Sequence, residues 1–392
     1  MNARQRYRAL VGRTKRLVEF CIYWLFDNTV LVGARYQPES NGHSVAVVFT
    51  KLIGDYFIWL PYGLALSKHL RSQGFQVVFV CNTQWQELVQ HHYTDVALVP
   101  IDRNRFTKAP AYRARTLREL RTLSVQEVLN PCYPRDGLIE DAIVRALGST
   151  ATGFDAVFND RPWIDRAVSR RLYGHLLPPL PDVHQAIRHT AFLDAVSVGG
   201  PVVAPLLRNI NAPIDEPLCD YFVVSPGASH AMKTWPAERF VEIARRVLQT
   251  HPGWHCLLIG APAEHAWIDQ MQETLGSRAS SVAGRLTLLQ MMERVRGARL
   301  VIGNDSAAAH IAAACGVPSL AVCDGAEFGR CQPYDPAHNA AAAVPVTVIH
   351  PMDCFGCNWN CRYHVPRGKP APCVDLITTE SVWTQLSAML PP

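Results

Sequence analysis

The sequence contains no apolar run long enough to cross a membrane, no phosphate loop of the G-x-x-x-x-G-K-[ST] type, and no G-x-G-x-x-G behind a strand. The apolar stretch at residues 17–26 includes Glu19, ends at Asp27 and falls far short of the about 20 residues that a spanning helix needs. The missing loops exclude the P-loop kinases and ATPases and the dinucleotide-dependent dehydrogenases. Charge is sparse as well. Charged residues make up 18% and the net charge is +5, too modest for a protein coated in nucleic acid. No aromatic-interleaved platform for RNA is visible, and no internal repeat.

Acidic residues are absent from the start of the chain, where Arg4, Arg6, Arg8, Arg13, Lys15 and Arg16 precede Glu19. No small-residue cleavage site follows, which argues against a secretory signal. Two readings of this basic amphipathic segment (residues 1–40) stand side by side. One is an interfacial anchor, with the cations on anionic headgroups and Phe20, Tyr23, Trp24 and Leu25 at the acyl boundary. The other is a helix packed on the protein with its arginines in water.

What is present describes a two-domain globular enzyme or scaffold. The chain has 392 residues, 48% of them hydrophobic, and nine Trp, enough for two ordinary cores. Twelve Cys in so long and apolar a chain do not make a disulfide scaffold, and a reducing, cytosolic compartment is expected. From residue 44 strands and helices alternate, which predicts βαβ units and parallel sheets. Strands are expected at 45–49, 76–80 and 96–101, with helices at 55–70, 85–91 and 112–125. The stretch 130–181 has no clear period. Prolines at 201, 205, 213 and 217 mark a linker at 201–218. It separates an N-terminal domain (41–200) from a second α/β domain (219–345). Residues 346–392 form a Cys-rich segment with a closing helix, one that could pack back across the first domain.

Two segments carry chemistry. Ser225-Pro226-Gly227-Ala228-Ser229, followed by Lys233-Thr234-Trp235-Pro236, lies in a strand-to-helix turn. Backbone amides, a hydroxyl and one lysine there suit a diphosphate, and they equally suit a tight turn with a surface lysine. Gly303-Asn304-Asp305-Ser306, with His310 one turn on, occupies a second such position. Asp305 or Ser306 could simply cap the helix. Two such turns in one unit are harder to explain as caps.

In order and spacing these segments resemble glycosyltransferase family 9, the ADP-heptose–lipopolysaccharide heptosyltransferases. The resemblance continues through Phe240, Gly260, Glu264, Gly284, Gly316–Pro318 and Pro333-Tyr334. It is thinner before residue 200, where Leu52-Ile53-Gly54-Asp55 is followed by Leu60-Pro61. It implies a GT-B fold of two Rossmann-like domains facing across a cleft, and inverting transfer of a sugar, ADP-heptose being the favoured donor, without a metal in the reaction. The acceptor would be a lipopolysaccharide core or related phosphorylated glycolipid, reached at the cytoplasmic face of the inner membrane. Gly227, Ser229, Lys233, Glu264, Asp305, Ser306 and His310 match donor-binding positions, with Glu264 on the ribose. Asp55 matches the general base, and Lys233 would also stabilise the leaving diphosphate. Ala307 departs from the family, which has Gly there, and a methyl group restricts positive φ.

Arg103, Arg105, Lys108 and Arg113 lie in a basic stretch and, with Gly54, are expected to face the acceptor. The plainer reading is a solvated helix face. Cys354, Cys357, Cys361 and Cys373 have the spacing of a tetrahedral thiolate site for structural zinc or iron, or are four reduced thiols. No cofactor is expected in catalysis. Two other functions remain open: a protein O-heptosyltransferase that modifies autotransporters, and a catalytically silent scaffold in envelope-glycan assembly.

Overall fold

The computed structural model describes residues 3–33, 43–156, 163–199, 220–335 and 343–391. The linker expected at 201–218 lies outside them. The chain divides into two units, and each is built on a parallel six-stranded sheet.

The N-terminal unit opens with α1 (Ala3–Val32), followed by β1 (Ser44–Phe49), α2 (Ile53–Ser72), β2 (Gln76–Asn82), α3 (Gln86–His92) and β3 (Val96–Ile101). It continues with α4 (Arg103–Lys108), α5 (Pro110–Thr122), β4 (Glu127–Asn130), α6 (Glu140–Leu147), β5 (Thr150–Phe154), α7 (Trp163–Arg170), β6 (His175–Leu177) and α8 (Gln185–Ala195). The strand order is β3-β2-β1-β4-β5-β6. Every residue of β1 is buried, as expected for a strand covered on both faces, so from Val45 it reads as an unbroken apolar run. The stretch 130–181 gave no period because its strands are short and its helices are only eight residues long.

The C-terminal unit repeats that order in its own numbering. Its elements are β7 (Tyr221–Ser225), α9 (Ala237–Thr250), β8 (His255–Leu258), α10 (His265–Leu275), β9 (Ala279–Ser281) and α11 (Leu288–Arg296). Then follow β10 (Leu300–Asn304), α12 (Ala307–Cys315), β11 (Ser319–Val322), β12 (Val346–Val348), α13 (Pro372–Asp375) and α14 (Thr379–Ser387). The sheet runs β12-β11-β10-β7-β8-β9. In both sheets the first and fourth strands are parallel neighbours, and the order of strand addition reverses there, which opens a crevice at their carboxyl ends. The face of α9 read from its period is buried: Phe240, Ile243, Ala244, Val247 and Leu248 all enter the core.

Two expectations change. Residues 346–348 pair with β11, so the cut expected at 345/346 falls inside this sheet. The closing helix α14 sends Val382 and Leu386 into the core of its own unit, not across the first domain. The unit also includes Ile53–Pro61, the first turns of α2, and Asp182–Ile187.

α1 is a packed helix with a second apolar face. Phe20 and Val30 are buried, and the Tyr23 hydroxyl donates to the Thr107 carbonyl, so Phe20 and Tyr23 face the protein and not a membrane. Asp27 is fully buried and accepts from Arg113 Nε and Nη2 at 2.6 Å each and from Arg145 Nη2 at 2.6 Å. Val18, Ile22, Leu25 and Val32 line the exposed side at helical spacing, with Trp24 partly exposed. Among the described residues no helix is long and apolar enough to cross a membrane. Removing one partner of a buried charge pair strands the other. Asp27→Asn should therefore cost about 3 kcal/mol, read as a lowered urea midpoint, and an unchanged midpoint would refute this role.

Candidate active site

The site-bearing turns of the C-terminal unit leave β7 and β10, the two strands at its crevice. Asn304, the last residue of β10, holds them together. It is fully buried, and its Nδ2 donates to the carbonyls of Pro226 (2.7 Å) and Gly227 (3.3 Å). Its Oδ1 accepts from the Trp235 amide at 2.9 Å. Both ends of the 226–235 segment thus hang on one side chain. Trp235 is buried edge-on to Phe240, and its indole N–H donates to the Ile377 carbonyl. Sequence reasoning passed over Asn304; the signal was an amide side chain ending an otherwise apolar strand.

Lys233 lies in the turn between β7 and α9, as expected. It closes a short 3-10 turn, Ala231–Lys233, ahead of α9. Its Nζ lies 3.5 Å from Asp305 Oδ2 and 3.8 Å from Asp324 Oδ2. Burial works against the ammonium, but the two carboxylates hold its pKa above the ordinary value. Asp305 is opposed by the same burial and is held well below the usual carboxylate range by Lys233 and His310. Asp324, absent from the sequence reading, is pushed up by its burial.

Asp305 Oδ1 also stands 3.6 Å from Nε2 of the buried His310, whose Nδ1 meets the Tyr334 hydroxyl at 2.8 Å. Tyr334, His310, Asp305 and Lys233 therefore form one connected polar line. Ser306 occupies the N-cap of α12 without making the capping bond, and its hydroxyl oxygen is buried without a partner among the described residues. The capping explanation of this turn thus fails for both Asp305 and Ser306. Ala307 begins the helix and does not take positive φ, so the methyl group carries no backbone cost.

Glu264 turns back on its own loop, where Oε2 accepts from the Ala261 amide at 2.7 Å. A Cβ on Gly227 would lie 2.2 Å from Glu264 Oε1, so only glycine lets the two loops meet. Ser229 is exposed on the same loop.

Asp55 lies within the first turn of α2, which begins at Ile53, and is not its cap. The preceding Gly54 rests on the imidazole of His310: a Cβ there would approach Cδ2 to 2.8 Å. The charge of Asp55 is also felt at Cys331, whose thiol pKa is pushed up by burial and then by that carboxylate. The structure thus brings the Gly54-Asp55 turn beside the Lys233–Asp305–His310 line.

In the N-terminal unit the expected acceptor cations separate. Arg113 is buried on Asp27 and is a structural brace, a correction of its expected surface role. Arg103 is also tied inward, to Glu140 Oε1 at 2.9 Å and the Thr50 carbonyl at 2.8 Å. Arg105, with its guanidinium over the Tyr112 ring, and Lys108 remain exposed. Lys51 Nζ donates to the Pro134 carbonyl at 2.8 Å and stands 3.6 Å from Glu140 Oε2.

All four C-terminal cysteines line one cavity with Met232, Phe355 and Trp359. None is in a disulfide. The donor set suits a soft metal. Among the described residues, however, no three His, Cys, Asp or Glu side chains stand in ligand geometry.

The sequence model of glycosyltransferase family 9 (heptosyltransferase) matches residues 210–346, the segment that holds the Lys233–Asp305–His310 line. Lipopolysaccharide heptosyltransferase 1 of Pseudomonas aeruginosa is 25% identical over 368 residues, covering 88% of this chain and 98% of the relative. The structure of the E. coli heptosyltransferase WaaC with ADP superposes with a TM-score of 0.62 at 18% identity, covering 88% of this chain and 100% of that one. The iron-containing dodecameric glycosyltransferase TibC of enterotoxigenic E. coli gives 0.53 at 15% identity, with 90% and 77% covered. The chain is a glycosyltransferase. Its segment 210–346 resembles family 9.

Glu140 supplies a pH test of the N-terminal brace. Burial opposes its ionisation, but Lys51, Arg103, the Thr50 hydroxyl and the Asp136 amide hold its pKa down to about 2. A carboxyl depressed in the folded state adds stability above its unfolded pKa, about 4.3, and that stability is lost as pH falls through the folded value. Urea midpoints measured from pH 5 to 2 should fall less steeply in Glu140→Gln than in the wild type; parallel acid limbs would contradict the brace.

Proposed function

We propose that this glycosyltransferase moves a sugar, heptose from ADP-heptose, onto the phosphorylated core of lipopolysaccharide or a related envelope glycan. The observation that carries the reading is the juxtaposition of the Gly54-Asp55 turn with the Lys233–Asp305–His310 line. The lipopolysaccharide heptosyltransferase of P. aeruginosa supports the acceptor class, and the ADP-bound WaaC structure supports the nucleotide.

Transfer is inverting and needs no metal at the reacting atoms. Asp55 takes the proton of the acceptor hydroxyl as it attacks the anomeric carbon from the face opposite the diphosphate. Lys233, the hydroxyls of Ser229 and Ser306 and the amides opening α12 receive the negative charge that develops on the leaving diphosphate. Asp305 orders Lys233 and His310 for that task. Glu264 holds the ribose beside Gly227. Arg105 and Lys108, the exposed members of the basic stretch, meet acceptor phosphate.

The exposed stripe of α1 rests on an anionic membrane surface, at the cytoplasmic face of the inner membrane. Its apolar residues follow directly on the N-terminal run of cations. The four C-terminal cysteines, which line one cavity, would supply the thiolates for a structural metal, zinc or iron, with the iron-containing TibC structure as support. Should protein hydroxyls accept the sugar in place of a glycolipid, this segment is the feature that favours it.

Three measurements test the reading. Asp55→Ala should lower the transfer rate by about 10²–10⁴-fold while ADP binding persists, the range for loss of a general base; full activity in the variant would mean that another group is the base. Ile22→Ser with Leu25→Ser should reduce sedimentation with phosphatidylglycerol vesicles several-fold, and no change would exclude this face. Elemental analysis of the purified chain should find about one zinc or iron per chain, lost when the four cysteines become serine; a metal-free native chain would end the metal proposal.

A further inference from the structure

The Cys-rich segment is more than an appended finger, because it folds against the two loops that carry Lys233 and Asp324. The Gly356 amide donates to the Gly325 carbonyl at 2.7 Å, and the Asn358 amide to the Ala326 carbonyl at 3.0 Å. The Ala371 amide donates to the Met232 carbonyl at 3.0 Å, and Arg330 holds the Asn358 side chain. At its tip Asn358 and Trp359 both take positive φ, 50° and 63°. Two consecutive left-handed residues, one of them bulky, persist only where the surroundings over-determine them. They turn the Trp359 ring toward the donor loop, 5.7 Å from Lys233 Nζ and 5.6 Å from the ring of His230. That places the ammonium within cation–π range of an indole, the aromatic side chain that attracts cations most strongly.

We propose that Trp359 is a donor-positioning residue: its ring holds the Lys233 ammonium in place and keeps water from the side of the diphosphate that Lys233 contacts. The assignment rests on the donor-site reading above. Without the ring, Lys233 remains charged and paired with Asp305, but it is solvated on one side, and its attraction for phosphate weakens as the local dielectric rises. The ligand recognised is the diphosphate of a nucleotide, so nucleoside diphosphates alone report the effect, and no acceptor is needed.

Isothermal titration of the full chain with ADP, GDP, UDP and CDP, in the wild type, Trp359→Ala, Trp359→Phe and Lys233→Ala, tests this. Trp359→Ala is expected to weaken the bound nucleotide about tenfold, Trp359→Phe to restore it to within about threefold, and the ligand-free Tm of both to match the wild type. Unchanged or tighter binding in Trp359→Ala, with Lys233→Ala still impaired, overturns the proposal and leaves the donor site standing. A loss of affinity that Trp359→Phe does not rescue, together with a lowered Tm, makes Trp359 a structural residue and also overturns it. A wild type that binds none of the four nucleotides fails the donor reading and this inference together.

Discussion

The ammonium of Lys233, enclosed between the carboxylates of Asp305 and Asp324, is the interaction on which the rest of the C-terminal site depends. A buried cation with two buried anions is tolerable only while every member stays paired, because each stranded charge would bear its own desolvation cost. The surroundings enforce that pairing. Asn304 ties the β7 loop to β10, Trp235 pins the chain just beyond Lys233, and Tyr334 fixes the far side of His310. A polar line built in this way is already ordered before any ligand arrives, so little reorganisation is left for the bound state.

Much of this was legible in the residues. Lys233, Asp305 and His310 are all found in the place that strand-to-helix spacing predicts, and the period of α9 identifies its buried face. What could not be read were contacts between segments distant in sequence. Asn304 and Asp324 look like ordinary residues ending strands, and their roles appear only when β10 lies between β7 and β11. The charge of Arg113 was read correctly, but not its direction. A helix of basic composition has cations on several faces, and only the packing of α1 on α5 selects the one that turns inward.

The two units use the same strand order for different ends. Round the crevice of the C-terminal sheet, the loops after β7 and β10 converge on a titratable line whose Ser306 hydroxyl is buried without a partner among the described residues. At the corresponding edge of the N-terminal sheet, Glu140 draws Thr50, Lys51 and Arg103 into a brace that consumes its own charges. Identical topology thus supplies a position for chemistry without dictating it; the side chains at the strand ends decide.

The burial of Asp27 beneath Arg113 and Arg145 also sets where the N-terminal module begins. Judged by its sheet, the module would start at β1, and the preceding helix would look like a detachable leader. Yet the helix supplies the only carboxylate that these two guanidiniums share among the described contacts. A transplanted or trimmed version cut at Ser44 would carry two uncompensated charges in its interior, so α1 belongs to the heritable core of the module and must travel with it.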